Sequence, residues 1–177
     1  MTPPTSHSFL SDGMDAEMSN PYQEERFPVR KSPRLKKFDY SMPNYYFVTI
    51  CTKDKKCIFG SPEQLSSMGE IAARCLREME DHFVNVKLDH WVVMPNHIHA
   101  IVVLSDGSTE LPMVIGQYKS ATTRKIRTLV PDIQLWQTSF HDHVIRNQQD
   151  YERIWNYIEG NPGKWKDDCF YIKPESI

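Results

Sequence analysis

The sequence lacks the long apolar segments that anchor or export a protein. No hydrophobic run approaches the roughly 18 residues that a transmembrane helix needs, so we expect no membrane span. The first residues show no basic cluster followed by an apolar core, the pattern of a secretory signal. Together these absences predict a cytoplasmic protein that does not act at a membrane.

Closely spaced cysteines are also missing. The sequence contains four cysteines, at positions 51, 57, 75 and 169, and no two of them form a Cys-x-x-Cys pair. Structural zinc sites usually depend on such pairs, and cytoplasmic proteins seldom keep disulfides. We therefore expect four free thiols.

Charge is unevenly distributed although the net charge is only −2. Residues 1–25 contain five acids and neither Lys nor Arg, and they show no hydrophobic periodicity. This composition predicts a disordered acidic leader, followed by one domain over residues 26–177. Bases concentrate in a run over residues 26–37 and in a second cluster formed by Lys119, Arg124, Lys125 and Arg127. Each cluster is equally compatible with solvated surface charge and with nucleic-acid binding.

The hydrophobic pattern predicts alternating strands and helices. Strands are expected over residues 45–52, 86–94, 97–104 and 133–144, and helices over 62–83, 111–129 and 148–159. Pro95-Asn96 predicts a tight turn between the second and third strands, and Gly160-Asn161-Pro162-Gly163 ends the last helix. Two β-α-β halves joined by a hairpin predict an α+β, ferredoxin-like antiparallel sheet with helices packed on it.

Two histidines on the third strand are the first candidates for chemistry. His97 and His99 are two residues apart, so their side chains project from the same side of the strand. The strand is otherwise apolar, and burying two imidazoles there without a partner is costly. The pair therefore predicts a site for a divalent ion. His141-Asp142-His143 is a rival pair with less apolar flanks, and a core histidine beside a surface histidine remains an alternative for either pair.

A tyrosine on the last helix is the second candidate. Tyr151, Ile154, Trp155 and Ile158 form a stripe with helical spacing and are expected in the core. Tyr157 lies on the more polar side, and Asn161 follows one turn later. Tyr118 belongs to the apolar stripe of its own helix. The pattern leaves open whether Tyr157 is a nucleophile or packs against the sheet.

Several motifs in the right order resemble the REP-associated tyrosine transposases, which are single-tyrosine HUH endonucleases within the IS200-like transposases. The motifs are Tyr46-Phe47-Val48-Thr49, Met94-Pro95-Asn96-His97-Ile98-His99, Trp136-Gln137, Ile145-Arg146-Asn147 and Tyr157-Ile158-x-x-Asn161-Pro162. They span roughly residues 30 to 168 and leave out the acidic leader. The combination of Met-Pro-Asn-His-x-His with a later Tyr-x-x-x-Asn-Pro is the specific part of the resemblance.

The resemblance implies a site and an activity. His97, His99 and Asn161 would be metal ligands and Tyr157 the nucleophile, although related insertion-sequence transposases have a glutamine at the position of Asn161. The implied enzyme cuts and rejoins hairpin-forming single-stranded DNA, such as REP-like palindromes, as a monomer or homodimer. It would use Mg²⁺ or Mn²⁺ and no nucleotide cofactor.

The basic clusters are then candidates for contacts with DNA phosphates. The residues concerned are Arg30, Lys31, Arg34 and Lys36 in the first cluster, and Lys119, Arg124 and Lys125 in the second.

Three other classes of protein remain as alternatives. The first is a catalytically inactive DNA-hairpin binder with the same fold. The second is a zinc hydrolase built on the histidine pair, for which the sequence offers no convincing third ligand. The third is an RNA-binding sheet, which would need stacking aromatics on the histidine face.

Overall fold

The runs rich in β-branched and aromatic residues form one sheet in the computed structural model, which describes Asp39 and residues 42–172. The strands are β1 (Asn44–Cys51), β2 (Val86–Met94), β3 (His97–Leu104) and β4 (His141–Ile145). They lie in the order β2-β3-β1-β4, and every neighbouring pair is antiparallel. This is the strand order of a ferredoxin-like sheet, so the predicted α+β fold is confirmed.

Helices alternate with the strands as expected. They are α1 (Ser67–Arg77), α2 (Met79–His82), α3 (Leu111–Ile126) and α4 (Gln148–Gly160). Two short 3-10 helices, Lys53–Lys55 and Pro162–Asp167, follow β1 and α4. The second of them brings the chain back toward the sheet.

Side chains alternate along the central strands and divide the sheet into two covered faces. Val48, Ile98 and Ala100 belong to the main hydrophobic core, which also contains buried side chains of α1 and α3. Thr49, His97 and His99 project from the opposite face, and α4 contacts β2 and β3. Every residue of β3 except Val103 is buried. A polar group on this strand therefore needs a partner inside the protein.

Helix boundaries differ from the sequence prediction where a local cap intervenes. α1 begins at Ser67 instead of residue 62, because the hydroxyl of Ser66 caps the helix by accepting a hydrogen bond from the backbone N–H of Gly69. The predicted long helix also divides at Glu78 into α1 and α2. α3 ends at Ile126, three residues before the predicted end, and its expected apolar face is buried.

The prediction of a strand over residues 133–144 is wrong for its first part. The ladder with β1 begins only at Thr49 and His141, and before it Trp136 makes a single bridge with Thr52. Carbonyl groups in between bond to a side chain instead of a strand, because the amine of Lys119 donates to the carbonyls of residues 137–139.

The prediction of a buried apolar stripe on the last helix is confirmed for two of its four residues. Ile154 and Ile158 are buried, whereas Trp155 is 36% exposed and stacks on His90 with the ring centroids 4.3 Å apart. Tyr151 is half-buried and its hydroxyl donates to Asp89 at 2.7 Å. An aromatic residue at the edge of a helix stripe can thus lie over the sheet margin without entering the core.

Some predictions concern features outside the sheet. The acidic leader 1–25, and Arg30, Lys31, Arg34 and Lys36, lie outside the described residues. None of the described helices combines the length and hydrophobicity that crossing a membrane requires. The expectation of free thiols is confirmed for all four cysteines, two of them buried and two exposed.

Two helical glycines provide a matched test of the packing between α1 and the chain before it. A Cβ added to Gly69 would lie 2.2 Å from the backbone oxygen of Phe59, whereas one added to Gly116 would meet nothing within 4 Å. We expect Gly69→Ala to lower the free energy of unfolding by about 1–3 kcal/mol through overpacking. Gly116→Ala should raise it by up to about 1 kcal/mol through helix propensity. Urea denaturation measures both, and equal effects would contradict the close approach at Gly69.

Candidate active site

The histidine pair lies at the end of β3 next to the tight turn. His97 and His99 are 0% and 1% exposed, and their Nε2 atoms are 3.0 Å apart. In the β1–β3 ladder, Cys51 lies opposite His97 and Thr49 lies opposite His99. The register thus brings both imidazoles together on one face, as the i, i+2 spacing predicts.

The outer nitrogen of each ring has a partner that orients it. His97 Nδ1 is 2.9 Å from Asn96 Oδ1, and the amide nitrogen of Asn96 donates to the backbone oxygens of Lys55 and Phe170. Because an amide oxygen only accepts, Nδ1 of His97 carries the proton and Nε2 keeps a lone pair. His99 Nδ1 is 2.9 Å from Thr49 Oγ1. Such partners fix the ring and its tautomer in histidine metal sites.

Burial keeps both imidazoles neutral. It lowers the pKa of His99 to about 3. The pKa of His97 also falls well below its usual value, mainly through burial and then through the charges of His99 and Lys55. A neutral imidazole is the form that binds a metal ion. Two ligand atoms in neighbouring positions of an octahedral ion, each about 2.1 Å from it, lie about 3.0 Å apart, which fits the Nε2 separation.

Tyr157 of α4 reaches the same place from above the sheet. Its hydroxyl is 3.3 Å from His99 Nε2, and its ring lies edge-on to Phe47 with the centroids 6.0 Å apart. Burial and then the negative charge of Asp168 raise the pKa of the phenol. The protonated phenol needs a nearby cation to become a nucleophile at neutral pH.

The turn after α4 adds an amide and a carboxylate. The amide nitrogen of Asn161 donates to Asp168 Oδ2 at 3.0 Å, while Asn161 Oδ1 is buried and has no hydrogen-bond partner. Asp168 Oδ2 is 4.0 Å from His97 Nε2. Within the described part of the chain, His97, His99 and Asp168 are the single group of three metal-binding side chains, with ligand atoms within 4.8 Å of one another.

Sequence reasoning missed Asp168 and Lys55. Asp168 follows a Gly-Pro-rich helix end and belongs to no periodic pattern, so only the course of the 3-10 turn brings it to the histidines. Lys55 has a left-handed backbone with φ 55°, and its amine lies 5.1 Å from the centre of the Phe170 ring. A strained non-glycine residue beside a site is a signal that only the structure provides.

The rival pair on β4 has a different environment. His141 is exposed, and His143 Nε2 is 2.8 Å from a carboxylate oxygen of Asp150. These two histidines do not form part of a three-residue metal-binding group among the described residues.

The second basic cluster lies on α3 and on Arg127, which caps its C-terminal end, and α3 packs against the sheet face opposite the histidines. The amine of Lys119 is engaged by backbone carbonyls, and Lys125 forms an ion pair with Glu78. Arg124 and Arg127 are exposed. A groove there is lined by Lys119, Ser120, Thr123, Arg124 and Arg127.

Comparison with known proteins assigns the chain to a family. A family model described as "Transposase IS200 like" matches residues 40–161, more than two thirds of the chain. The chain belongs to the IS200-like transposase family. His97, His99, Tyr157 and Asn161 lie inside the matched range, and Asp168 lies beyond it.

Two curated proteins are similar in sequence to this IS200-like chain. An uncharacterized protein of Haemophilus influenzae Rd is 30% identical over an alignment 168 residues long. The alignment covers 81% of this chain and 93% of that protein. A REP-associated tyrosine transposase of Escherichia coli K12 is 32% identical over 78 residues, which cover 44% of this chain and 45% of that protein.

A solved structure shares the fold. It is a REP-associated tyrosine transposase bound to a REP hairpin, and it matches with a TM-score of 0.57 at 20% identity. The match covers 75% of this chain and 73% of the other. The resemblance inferred from the motifs is therefore confirmed at the level of family and fold.

The contact between Thr49 and His99 yields a prediction. Thr49→Val keeps the shape of the side chain but removes the oxygen next to His99 Nδ1, so we expect divalent-metal affinity to fall by about 10- to 100-fold. Thr52→Val is the matched control, because the Thr52 hydroxyl bonds to backbone oxygens of Lys56 and Asn96. Calorimetric titration with Mn²⁺ compares them. A loss in the Thr52 variant as large as in the Thr49 variant would argue against a specific role for Thr49.

Proposed function

We propose that this protein is a metal-dependent endonuclease and strand transferase for hairpin-forming single-stranded DNA, with a 5′-phosphotyrosine intermediate. The observation that carries the proposal is the hydroxyl of Tyr157 at 3.3 Å from Nε2 of a buried histidine pair. A nucleophile and two neutral metal-binding nitrogens thus meet at one point. Family membership agrees with this chemistry, and the hairpin in the related solved structure motivates the choice of substrate.

The reaction needs only the phenol and one phosphodiester. The oxygen of Tyr157 attacks phosphorus, a phosphotyrosine bond forms, and the bond from phosphorus to the 3′-oxygen breaks. The phenolic proton is released to water, and the departing 3′-oxygen is protonated. Because one phosphodiester replaces another, a 3′-hydroxyl can reverse the step and join a strand. Rejoining therefore requires no nucleotide cofactor.

The donor set fits a divalent ion, and the proposed phosphate chemistry favours Mg²⁺ or Mn²⁺. When bound, such an ion polarises the scissile phosphate and neutralises developing charge. His97 and His99 would hold it through their neutral Nε2 atoms, and Asn161 remains the third ligand expected from the family resemblance. The buried Oδ1 of Asn161, which lacks a hydrogen-bond partner, supports a role for this amide near a cation.

The RNA-binding and inactive alternatives are less well supported. Phe47 shares the histidine face but is buried against Tyr157, so it offers no open stacking platform. An inactive hairpin binder would not need the histidine pair and Tyr157 to remain within contact distance.

A zinc hydrolase gains one observation in its favour. The sequence offered no third ligand, whereas Asp168 places a carboxylate near the histidines, and two histidines with one carboxylate also make catalytic zinc sites. Metal analysis of the purified protein separates the two functions. Tightly bound zinc, together with hydrolysis that leaves no covalent intermediate, would support the hydrolase.

The nucleophile can be tested with a pair of tyrosines on α4. Incubation with hairpin-bearing single strands and Mn²⁺ should give a covalent protein–DNA band for the wild type. Tyr157→Phe should abolish the band, because it removes the attacking oxygen. Tyr151→Phe should keep it, since that hydroxyl bonds to Asp89 at the sheet margin.

Denaturing gels and mass spectrometry of the adduct provide the measurement. An adduct that persists in Tyr157→Phe, or is lost in Tyr151→Phe, would overturn the assignment. No adduct from the wild type on any hairpin, with hairpin binding intact, would support the inactive binder instead.

We propose that exposed basic side chains bind the DNA phosphates. Arg124 and Arg127 in the groove on α3 are candidates for phosphate contacts, whereas the amine of Lys119 and the ion-paired Lys125 already have protein partners. We infer that Lys119 mainly shapes the loop before β4. Near the site, Lys55 can hold the phosphate of the reacting strand.

Salt dependence tests the groove. Arg124→Gln should weaken hairpin binding and reduce the slope of log affinity against log salt by about 0.7–1, the contribution of one phosphate contact. Arg77→Gln is the control, because Arg77 does not line this groove and its guanidinium lies over the Trp91 ring. Binding isotherms at several salt concentrations measure both slopes. An unchanged slope for Arg124→Gln would exclude this residue from the DNA path.

A further inference from the structure

The carboxylate of Asp168 is held in an unusual position for an acid. Its side chain is only 2% exposed, and it faces His97 Nε2 at 4.0 Å. The backbone N–H of Phe170 donates to Oδ1 at 2.6 Å, and the amide of Asn161 donates to Oδ2 at 3.0 Å. These hydrogen bonds aim a buried carboxylate at two neutral imidazoles.

We propose that Asp168 is a direct protein ligand of the metal ion and that Asn161 positions its carboxylate. The inference rests on the proposed metal dependence and changes the ligand set of that site. It transfers the third coordinating atom from the amide after Tyr157 to a carboxylate seven residues further along the chain.

Distances support a single coordination shell. The Nε2 atoms are 3.0 Å apart, and the three ligand atoms lie within 4.8 Å of one another. In an octahedral ion with bonds of about 2.1 Å, opposite ligand atoms are about 4.2 Å apart. A shift of less than about 1 Å by one side chain therefore brings all three atoms around one ion.

The chemistry of the set also fits phosphate transfer. Two imidazoles and one carboxylate bind a divalent ion with one negative charge and leave about three octahedral positions open. Water and phosphate oxygens can fill those positions. A buried acid is costly without a cation. The charge of Lys55 acts on Asp168, and the Lys55 amine lies 5.1 Å from the centre of the Phe170 ring.

The course of the chain after α4 explains how Asp168 comes to lie beside the histidines. After α4, the 3-10 helix Pro162–Asp167 turns back, and Asp168 N–H bonds to the oxygen of Trp165 at 3.2 Å. The Phe170 ring packs on His97 with the centroids 4.6 Å apart. Asp168 lies outside the range that the family model matches. The ligand is therefore a feature of this chain's segment after the matched range.

Metal titration of the full-length protein without DNA tests the inference. Mn²⁺ binding is measured by electron paramagnetic resonance for the wild type, Asp168→Asn, Asn161→Ala and the neighbouring exposed control Asp167→Asn. We expect Asp168→Asn to lower affinity at least tenfold, Asn161→Ala to lower it less, and Asp167→Asn to leave it unchanged. Melting curves in chelator verify that each variant is folded.

A replacement ligand gives a signature that a structural role would not produce. With Co²⁺, Asp168→Cys should add a thiolate-to-cobalt charge-transfer band above the wild-type spectrum, and Asp167→Cys should not. This readout stays informative even where Asp168→Asn is poorly folded.

The outcomes separate this inference from the proposed function. Wild-type protein that binds no Mn²⁺ would overturn the metal-dependent function itself. Wild-type binding with unchanged affinity in Asp168→Asn and no new band in Asp168→Cys would overturn only the role of Asp168. Loss of binding in Asn161→Ala but not in Asp168→Asn would assign the third ligand to the amide.

Discussion

Two imidazoles whose Nε2 atoms lie next to each other on an almost completely buried central strand set the geometry of the candidate site. Their 3.0 Å separation follows from the i, i+2 spacing of β3 and from the β1 register, which places Thr49 beside His99. Burial makes the charged forms unfavourable, so each neutral ring keeps one nitrogen lone pair that can bind a metal ion. A strand in the middle of a sheet moves little, which gives the site a rigid base.

The other groups of the candidate site come from outside the sheet. Tyr157 comes from α4 and Asp168 from the turn that follows it, so the proposed nucleophile and the carboxylate belong to one continuous segment. A cation between the histidines and Asp168 would tie this segment to the sheet. It would also offset the effect of Asp168 on Tyr157, whose pKa is raised by burial and by that negative charge.

The histidine site and the basic groove of α3 lie on opposite faces of the sheet. Antiparallel pairing gives every strand two faces, one used for the main core and one for the histidines. Because α3 packs on the core face, Arg124 and Arg127 are on the opposite side of the sheet from Tyr157. A single DNA molecule that used both regions would have to pass around an edge of the sheet. Lys55, by contrast, is next to the site, where its charge acts on His97 and Asp168.

Local patterns in the sequence were enough for most of the architecture. Alternation along residues 97–104 placed both histidines on one face, and helical spacing placed Tyr157 and Asn161 one turn apart. The same rules failed where side chains replaced regular pairing, as between Trp136 and His141, where Lys119 bonds to the carbonyls. Helical spacing also predicted that Trp155 is buried in the core, whereas it lies at the edge of the core.

The sequence by itself therefore determined the fold class, the histidine pair and the tyrosine helix, because each could be inferred from the local periodicity of the side chains and the order of the elements. Only the tertiary structure decided which other groups lie beside the histidine pair. Asp168 is 71 residues from His97, and its position depends on a 3-10 turn that the hydrophobic pattern does not predict. The orientation of His97 likewise depends on Asn96, whose amide is fixed by carbonyls of Lys55 and Phe170. Long-range packing of this kind is set by the whole fold, so the pair could be read from the sequence but its partners could not.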